Sequence, residues 1–198
     1  MAQGKDQEIA ELRRQLDEEV GRLNRLVEIA EQLNSTLKLD DLLSLIMNSA
    51  ADLLGAETSS LLLLDDETGE LTVEVATGEP APAVEKQRVP PGVGIAGWVV
   101  ENDEALVVDR PQEDARFYGG IDEKSGFETR NMLAVPLRTK ERVIGAVEVI
   151  NKREGGFAEK DVTLATALAN QAATAIDNAR LYARLADAVV TSRLSYRF

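Results

Sequence analysis

Eleven residues do most to limit what this chain can fold into: Asn-Lys-Arg-Glu-Gly-Gly-Phe-Ala-Glu-Lys-Asp, from Asn151 to Asp161. They close an apolar run, Arg142 to Ile150, and open a long alanine-rich helix. Upstream, Thr58 to Leu64, Leu71 to Ala76, Ala105 to Val108 and Met132 to Arg138 carry the short apolar or alternating patterns of strands. Leu71, Val73 and Val75 alternate with Thr72, Glu74 and Ala76, which predicts a half-buried strand. Thr139-Lys140-Glu141 joins the last two strands as a hairpin. A helix is predicted from Asp41 to Leu54, with Leu42, Leu43, Leu45, Ile46, Ala50, Leu53 and Leu54 on a wide apolar face. Asp40 is its expected N-cap and Gly55 its stop. Helices at both ends and antiparallel hairpins between them specify an α+β layer fold, with helices packed on one face of the sheet.

At 198 residues the chain fits one domain plus an extension, and an apolar fraction of 44% supports a sizeable core. A formal charge of -13 argues against a nucleic-acid surface and against an anionic membrane. No apolar run approaches the ~20 residues of a spanning helix. The first residues lack the apolar core of a secretory signal, so a cytoplasmic location is expected. Cysteine and histidine are both absent. That removes disulfides, thiol nucleophiles, thioether-linked chromophores, imidazole bases and the commonest haem and zinc ligands. The expectation is a chain that is not an enzyme and holds no metal, no haem and no covalent bilin.

From Asp6 to Leu37 the apolar residues keep a seven-residue repeat. Ile9, Leu16, Leu23, Ala30 and Leu37 form one seam position, and Leu12, Leu26 and Leu33 the other, with Glu19 as the polar intruder. Spacing of 3.5 residues keeps one stripe facing a partner, so residues 1–38 are expected to be a coiled-coil dimerisation helix, ~45 Å long at 1.5 Å per residue. Val20, Val27 and Ile29 widen the face toward its C-terminal end, as packing against further helices requires. A helix lying on its own domain is the alternative. Beyond Asp161, Ala165, Leu168, Ala172, Ala175, Ala179, Tyr182, Ala186 and Val189 recur at spacings of three and four. Together the two stripes predict a homodimer whose four long helices form a bundle, parallel or antiparallel.

Two local patterns invite functional readings that their context does not support. Asp65-Asp66-Glu67-Thr68-Gly69 lacks the ligand spacing of a calcium loop and reads as a hairpin turn. Gly92-Val93-Gly94-Ile95-Ala96-Gly97 matches the dinucleotide fingerprint, but Pro90-Pro91 precedes it where a strand is required, and no βαβ unit surrounds it. The better account is a glycine-permitted loop feeding a short helix, Ala96 to Glu101, with Trp98 and Val99 packing inward.

Between Asp109 and Asn131 the chain turns irregular and polar, at a length more typical of a lid or binding loop than of a connection. Phe117, Tyr118 and Phe127 can wall a small planar ligand. Arg116 and Arg130 can meet an anion bidentately, while Asp109 and Thr129 can fix a base or hydroxyl edge. In the alternative reading Phe117 and Phe127 anchor the loop and its charges are solvated. A carboxylate-based hydrolase or transferase built on Asp109, Asp114, Asp122 and Glu123 is the less favoured class.

The segment from Asn151 to Asp161 resembles the asparagine-lysine, phenylalanine, aspartate motif of GAF domains, sensor modules of cyclic-nucleotide phosphodiesterases, adenylyl cyclases, phytochromes and bacterial regulators. Pro91-Gly92 to Gly97-Trp98, Thr129-Arg130 to Val135-Pro136-Leu137 and the closing Asn178-Ala179-Arg180-Leu181-Tyr182 are similar to further stretches of that family. The resemblance implies a GAF-like (PAS-like) antiparallel sheet over residues 39–183 and a ligand pocket under a mobile lid, with a C-terminal helical extension or linker over 184–198. It places a clasp at Asn151, Lys152, Phe157 and Asp161, and implies regulation in a bacterial-type signal transduction protein. Val162 stands where cyclic-nucleotide-binding members carry glutamate, and Ala158 where many bacterial members carry a Ser/Thr cap. The expected function is capture of an unknown small ligand and relay through the helical bundle, to an effector after Phe198 or a separate partner. A ligand-free dimerisation scaffold is the alternative.

Overall fold

A computed structural model describes residues 13–14 and 39–195. Arg13 and Arg14 are helical; the rest of the expected coiled coil lies outside the described residues. The chain divides into two units, Leu39–Asp177 and a second formed by Met1–Lys38 with Asn178–Phe198.

In the first unit the strands are β1 Ala56–Leu64, β2 Leu71–Ala76, β3 Arg88–Val89, β4 Leu106–Val108, β5 Met132–Arg138 and β6 Val143–Lys152. They form one sheet in the order β3-β2-β1-β6-β5-β4, with every neighbouring pair antiparallel. The helices are α1 Leu39–Leu54, α2 Ala81–Val84, α3 Gly94–Asn102, α4 Gly120–Ser125 and α5 Glu159–Ser195. The turn at Asp65 is structural, because its carboxylate accepts the backbone N–H groups of Glu67 and Thr68 at 2.9 and 3.0 Å.

Each face of the sheet has its own core. On one face α1 (Leu43, Ile46, Met47) and α5 (Ala169, Ala172, Ile176) pack on Leu61, Leu133, Val135, Val147 and Val149. On the other, Leu62, Met132, Ala134 and Ala146 meet Ile95, Ala96 and Val99 of α3. The long helices share one face, as expected, and the short ones roof the opposite one. Strand neighbours 146 and 147 therefore serve different cores, which is the two-residue period of a sheet buried on both sides.

Several expectations are corrected. The alternation expected of β2 holds from Leu71 to Val75 but not at Ala76, which is buried too, and the buried residues do not share one face, because Leu61 pairs with Val75 but Leu62 pairs with Val73. The extra residue, Glu74, is a bulge that reverses the alternation and sends Val75 to the α1/α5 core while Leu71 and Val73 face α3. Asp40 lies inside the first turn of α1, where its charge suits the positive helix end, and not at a cap position. Leu45 and Leu53 point away from the core, 57% and 64% exposed, although the sequence groups them with the buried leucines. Ala165 and Ala172, the start of the alanine stripe, are buried in their own unit instead of against a second copy. Gly55 does end α1, at φ 63°.

The glycine fingerprint has a steric explanation. Gly92 and Gly94 have φ of 67° and 80°, which side chains with a Cβ avoid. Gly97, buried in α3, lies so close to the preceding loop that a Cβ would stand 2.7 Å from the carbonyl carbon of Gly92. The three glycines let a loop fold back onto its own helix. Val99 is buried as expected, while Trp98 is only half-buried. Gly97→Ala is expected to destabilise the fold by about 1–3 kcal/mol through overpacking against backbone, read from the midpoint of urea denaturation at unchanged slope.

Candidate functional site

The face opposite the long helices carries two adjoining cavities, about 450 and 420 Å³ of empty space when the part open to solvent is counted. Both are lined by Ile121, Asp122, Thr129, Glu148 and Ile150. Ile121 and Asp122 belong to α4 in the lid, and Glu148 and Ile150 to β6 in the middle of the sheet.

The charges on these walls are negative. Asp122 accepts bonds from the Thr129 backbone N–H and hydroxyl, both at 2.8 Å, and from the Gln112 amide at 3.4 Å. Its carboxylate ties α4 to the end of the lid. Glu148 receives one long bond, from the Ser60 hydroxyl at 3.3 Å, and faces Ser60 and Ala134 across the sheet. Burial pushes its carboxyl up to about 7; the Ser60 hydroxyl opposes this and the charge of Asp122 adds to it. Among the described residues no Lys or Arg lines either cavity.

The raised value has a stability consequence. A carboxyl whose folded pKa exceeds its unfolded value binds its proton more tightly when folded. Its contribution is complete below about pH 4.5 and is lost as pH rises through about 7. Wild type should lose roughly 2–4 kcal/mol from this group across that window. Glu148→Gln should flatten that slope and be more stable than wild type above pH 7, as measured by urea melts at several pH values.

The sequence-selected residues separate. Phe117 and Tyr118 line the first cavity, Phe127 the second, and Thr129 both. Asp109 is exposed and stands beside Gly156. Arg116 makes a bidentate pair with Asp114 at 2.9 and 2.7 Å, and its guanidinium lies 4.9 Å from the Trp98 ring centroid. The Arg116 hydrogen bonds hold the Asp114 carboxyl at about 2. Arg130 pairs with Glu57 at 2.6 Å. Of the four carboxylates considered for catalysis, Asp122 lines both of these cavities and Asp109, Asp114 and Glu123 line neither. Glu148 and Ser60 were not anticipated; the available signal was one acid inside the apolar run Val143 to Ile150. The segment from Asp109 to Asn131 is also less irregular than expected, holding a 3-10 turn at Pro111–Glu113 as well as α4.

The eleven-residue segment forms a latch where β6 meets α5. Asn151 is fully buried with φ of 59°, and its carbonyl oxygen accepts the Arg130 N–H at 2.7 Å. Its amide donates to Glu57 and to the Glu128 carbonyl, both at 2.9 Å. The Asn151 bond is the first cause of a lowered Glu57 pKa, with Arg130 adding to it. Lys152 pairs with Asp161, both side chains largely buried, and its ammonium lies 5.6 Å from the Phe157 ring centroid. Asp161 also accepts the Ala158 N–H at 2.8 Å, so the third residue of α5 caps the helix that alanine cannot. Burial raises the Asp161 pKa, but the Lys152 ammonium and Ala158 N–H outweigh it and the net shift is downward. Asp161→Ala leaves a buried, unpaired ammonium and should cost about 3–5 kcal/mol, measured by chemical denaturation.

A family model described as "GAF domain" matches residues 36–177. The "Probable 3',5'-cyclic phosphodiesterase pde-5" of Caenorhabditis elegans is 28% identical over 184 residues, which cover 88% of this chain and 25% of that protein. The "Dual 3',5'-cyclic-AMP and -GMP phosphodiesterase 11A" of Takifugu rubripes is 27% identical over 168 residues, 79% of this chain and 19% of that protein. The chain thus spans a quarter or less of these two relatives. The GAF domain of a phosphoenolpyruvate-protein phosphotransferase (ptsP) from Coxiella burnetii superposes with a TM-score of 0.68 at 21% identity, covering 83% of this chain and 98% of that one. At that identity the likeness speaks for the fold. With the family match running through the sheet, the cavities and the latch, the chain belongs to the GAF domain family.

Proposed function

We propose that this chain is the sensor module of a signalling protein, and that its joined cavities take a ligand smaller than a cyclic nucleotide. The observation that carries this is the shared wall: Ile121 and Asp122 of the lid and Glu148 and Ile150 of the central strand line both cavities. A ligand filling it touches a movable roof and a fixed floor at once. The lid ends at Thr129, and the next residue is held by Asn151, whose neighbour Lys152 holds the start of α5. Ligand occupancy that shifts α4 would therefore bias the latch and the exit helix.

Among the described residues no helix is long and apolar enough to cross a membrane, and no group of three or more acids could hold a metal ion. The exposed Leu45 and Leu53 of α1, with the heptads over residues 6–37, support self-association. Removal of residues 1–37 should convert a dimer to a monomer in light scattering.

The ligand reading is tested by thermal shift on the full chain with cAMP, cGMP, amino acids, oxo-acids and small aromatic compounds. A small aromatic compound should raise Tm in a concentration-dependent way, whereas the cyclic nucleotides, named for the relatives, should not. Stabilisation by nothing in the set would favour a ligand-free dimerisation module.

A further inference from the structure

The joined cavities have one wall whose chemistry is unspent. Asp122 is engaged, since its two oxygens accept from Thr129 and Gln112. Glu148 is not. Among the described residues its Oε2 accepts from the Ser60 hydroxyl at 3.3 Å and its Oε1 has no protein hydrogen-bond partner, although the residue lines both cavities. A second carboxylate on the same walls makes this a partly open site walled by acids, and among the described residues no Lys or Arg lines it. The remaining surfaces are Phe117, Phe127, Ile121, Ile150 and Met132, which can surround an apolar body.

We infer that the site takes a small organic cation, a primary ammonium on a compact apolar or aromatic body, with the ammonium seated on Glu148 beside Asp122 and Ser60. This rests on the sensor reading above and adds the ligand class to it. An ammonium offers three donors and meets the carboxylate oxygen that no protein group satisfies among the described residues. A metal ion is less suited, because among the described residues no third acid joins the pair. A carboxylate or phosphate ligand finds no Lys or Arg among the described lining residues. An α-amino acid would leave its own carboxylate without a side-chain partner for the same reason.

The test compares benzylammonium, benzyl alcohol and benzoate by isothermal titration on the full chain at about pH 8. Benzylammonium should bind at least tenfold tighter than the alcohol, and benzoate weakest. In Glu148→Gln the amine-to-alcohol ratio should fall to near one while alcohol binding persists. Wild type supplies a readout that does not depend on the variant folding. Amine affinity should drop about tenfold from pH 8 to 6 as Glu148 takes up a proton. Asp122 and Tyr118 are the other ionisable groups on these walls, and the cross-strand neighbours Ser60 and Ala134 carry none. Equal or tighter binding of the alcohol or benzoate overturns the cation assignment and leaves the sensor reading standing, as does an amine preference that survives Glu148→Gln. Failure of all three probes overturns the cation assignment, and failure of the whole thermal-shift set as well overturns both.

Discussion

Strand β6 is hydrogen-bonded along both edges, to β1 over Gly145 to Lys152 and to β5 over Val143 to Ile150. That double pairing is the constraint from which the rest follows. It forbids any slip in register, because a one-residue slip would exchange Val147 and Val149 for Ala146 and Glu148 in the helix-facing core. It also places a carboxylate in the middle of the sheet, where only the cavity can receive it. The strand ends on Asn151 and Lys152, so the same register that floors the cavity also aims the latch.

The latch is economical in chemistry. One buried asparagine amide holds three chain segments together, and one buried ion pair fixes the first turn of α5. Asp161 serves as counter-ion and helix cap at once, which resolves the missing cap at Ala158. Arg116 and Arg130, chosen from the sequence as anion binders, are instead committed to Asp114 and Glu57. Their guanidinium groups brace the two ends of the lid.

What could be read from the sequence was whatever depends on local period and backbone conformation. The strand β5, the stop at Gly55 and the turn at Asp65 all leave such marks, whereas the pairing of Lys152 with Asp161 rests on the resemblance to the family motif. The helix α4 does not, because six residues between Gly119 and Gly126 are too few to show a helical period. Nor does β3, at two residues, or α2, whose Pro80 and Pro82 read as loop although proline suits a first helical turn. The bulge at Glu74 was illegible because it is a property of the pairing with β1, not of β2 alone. Glu148 was passed over for the same reason: its environment is made by α4 and Ser60, far away in sequence.

A second bulge has a practical consequence. Leu137 pairs with Gly145 but Arg138 with Val143, so Ile144 is extra and turns into the α1/α5 core. Everything C-terminal to it keeps its alignment through β1 and β5, whatever the tip from Thr139 to Arg142 does. The tip, tied to the β1–β2 turn through Arg142 and Asp66, is thus separated by the bulge from the strand segment that lines the cavities. A fluorescent reporter or affinity tag spliced there is expected to leave the pairing of that segment intact.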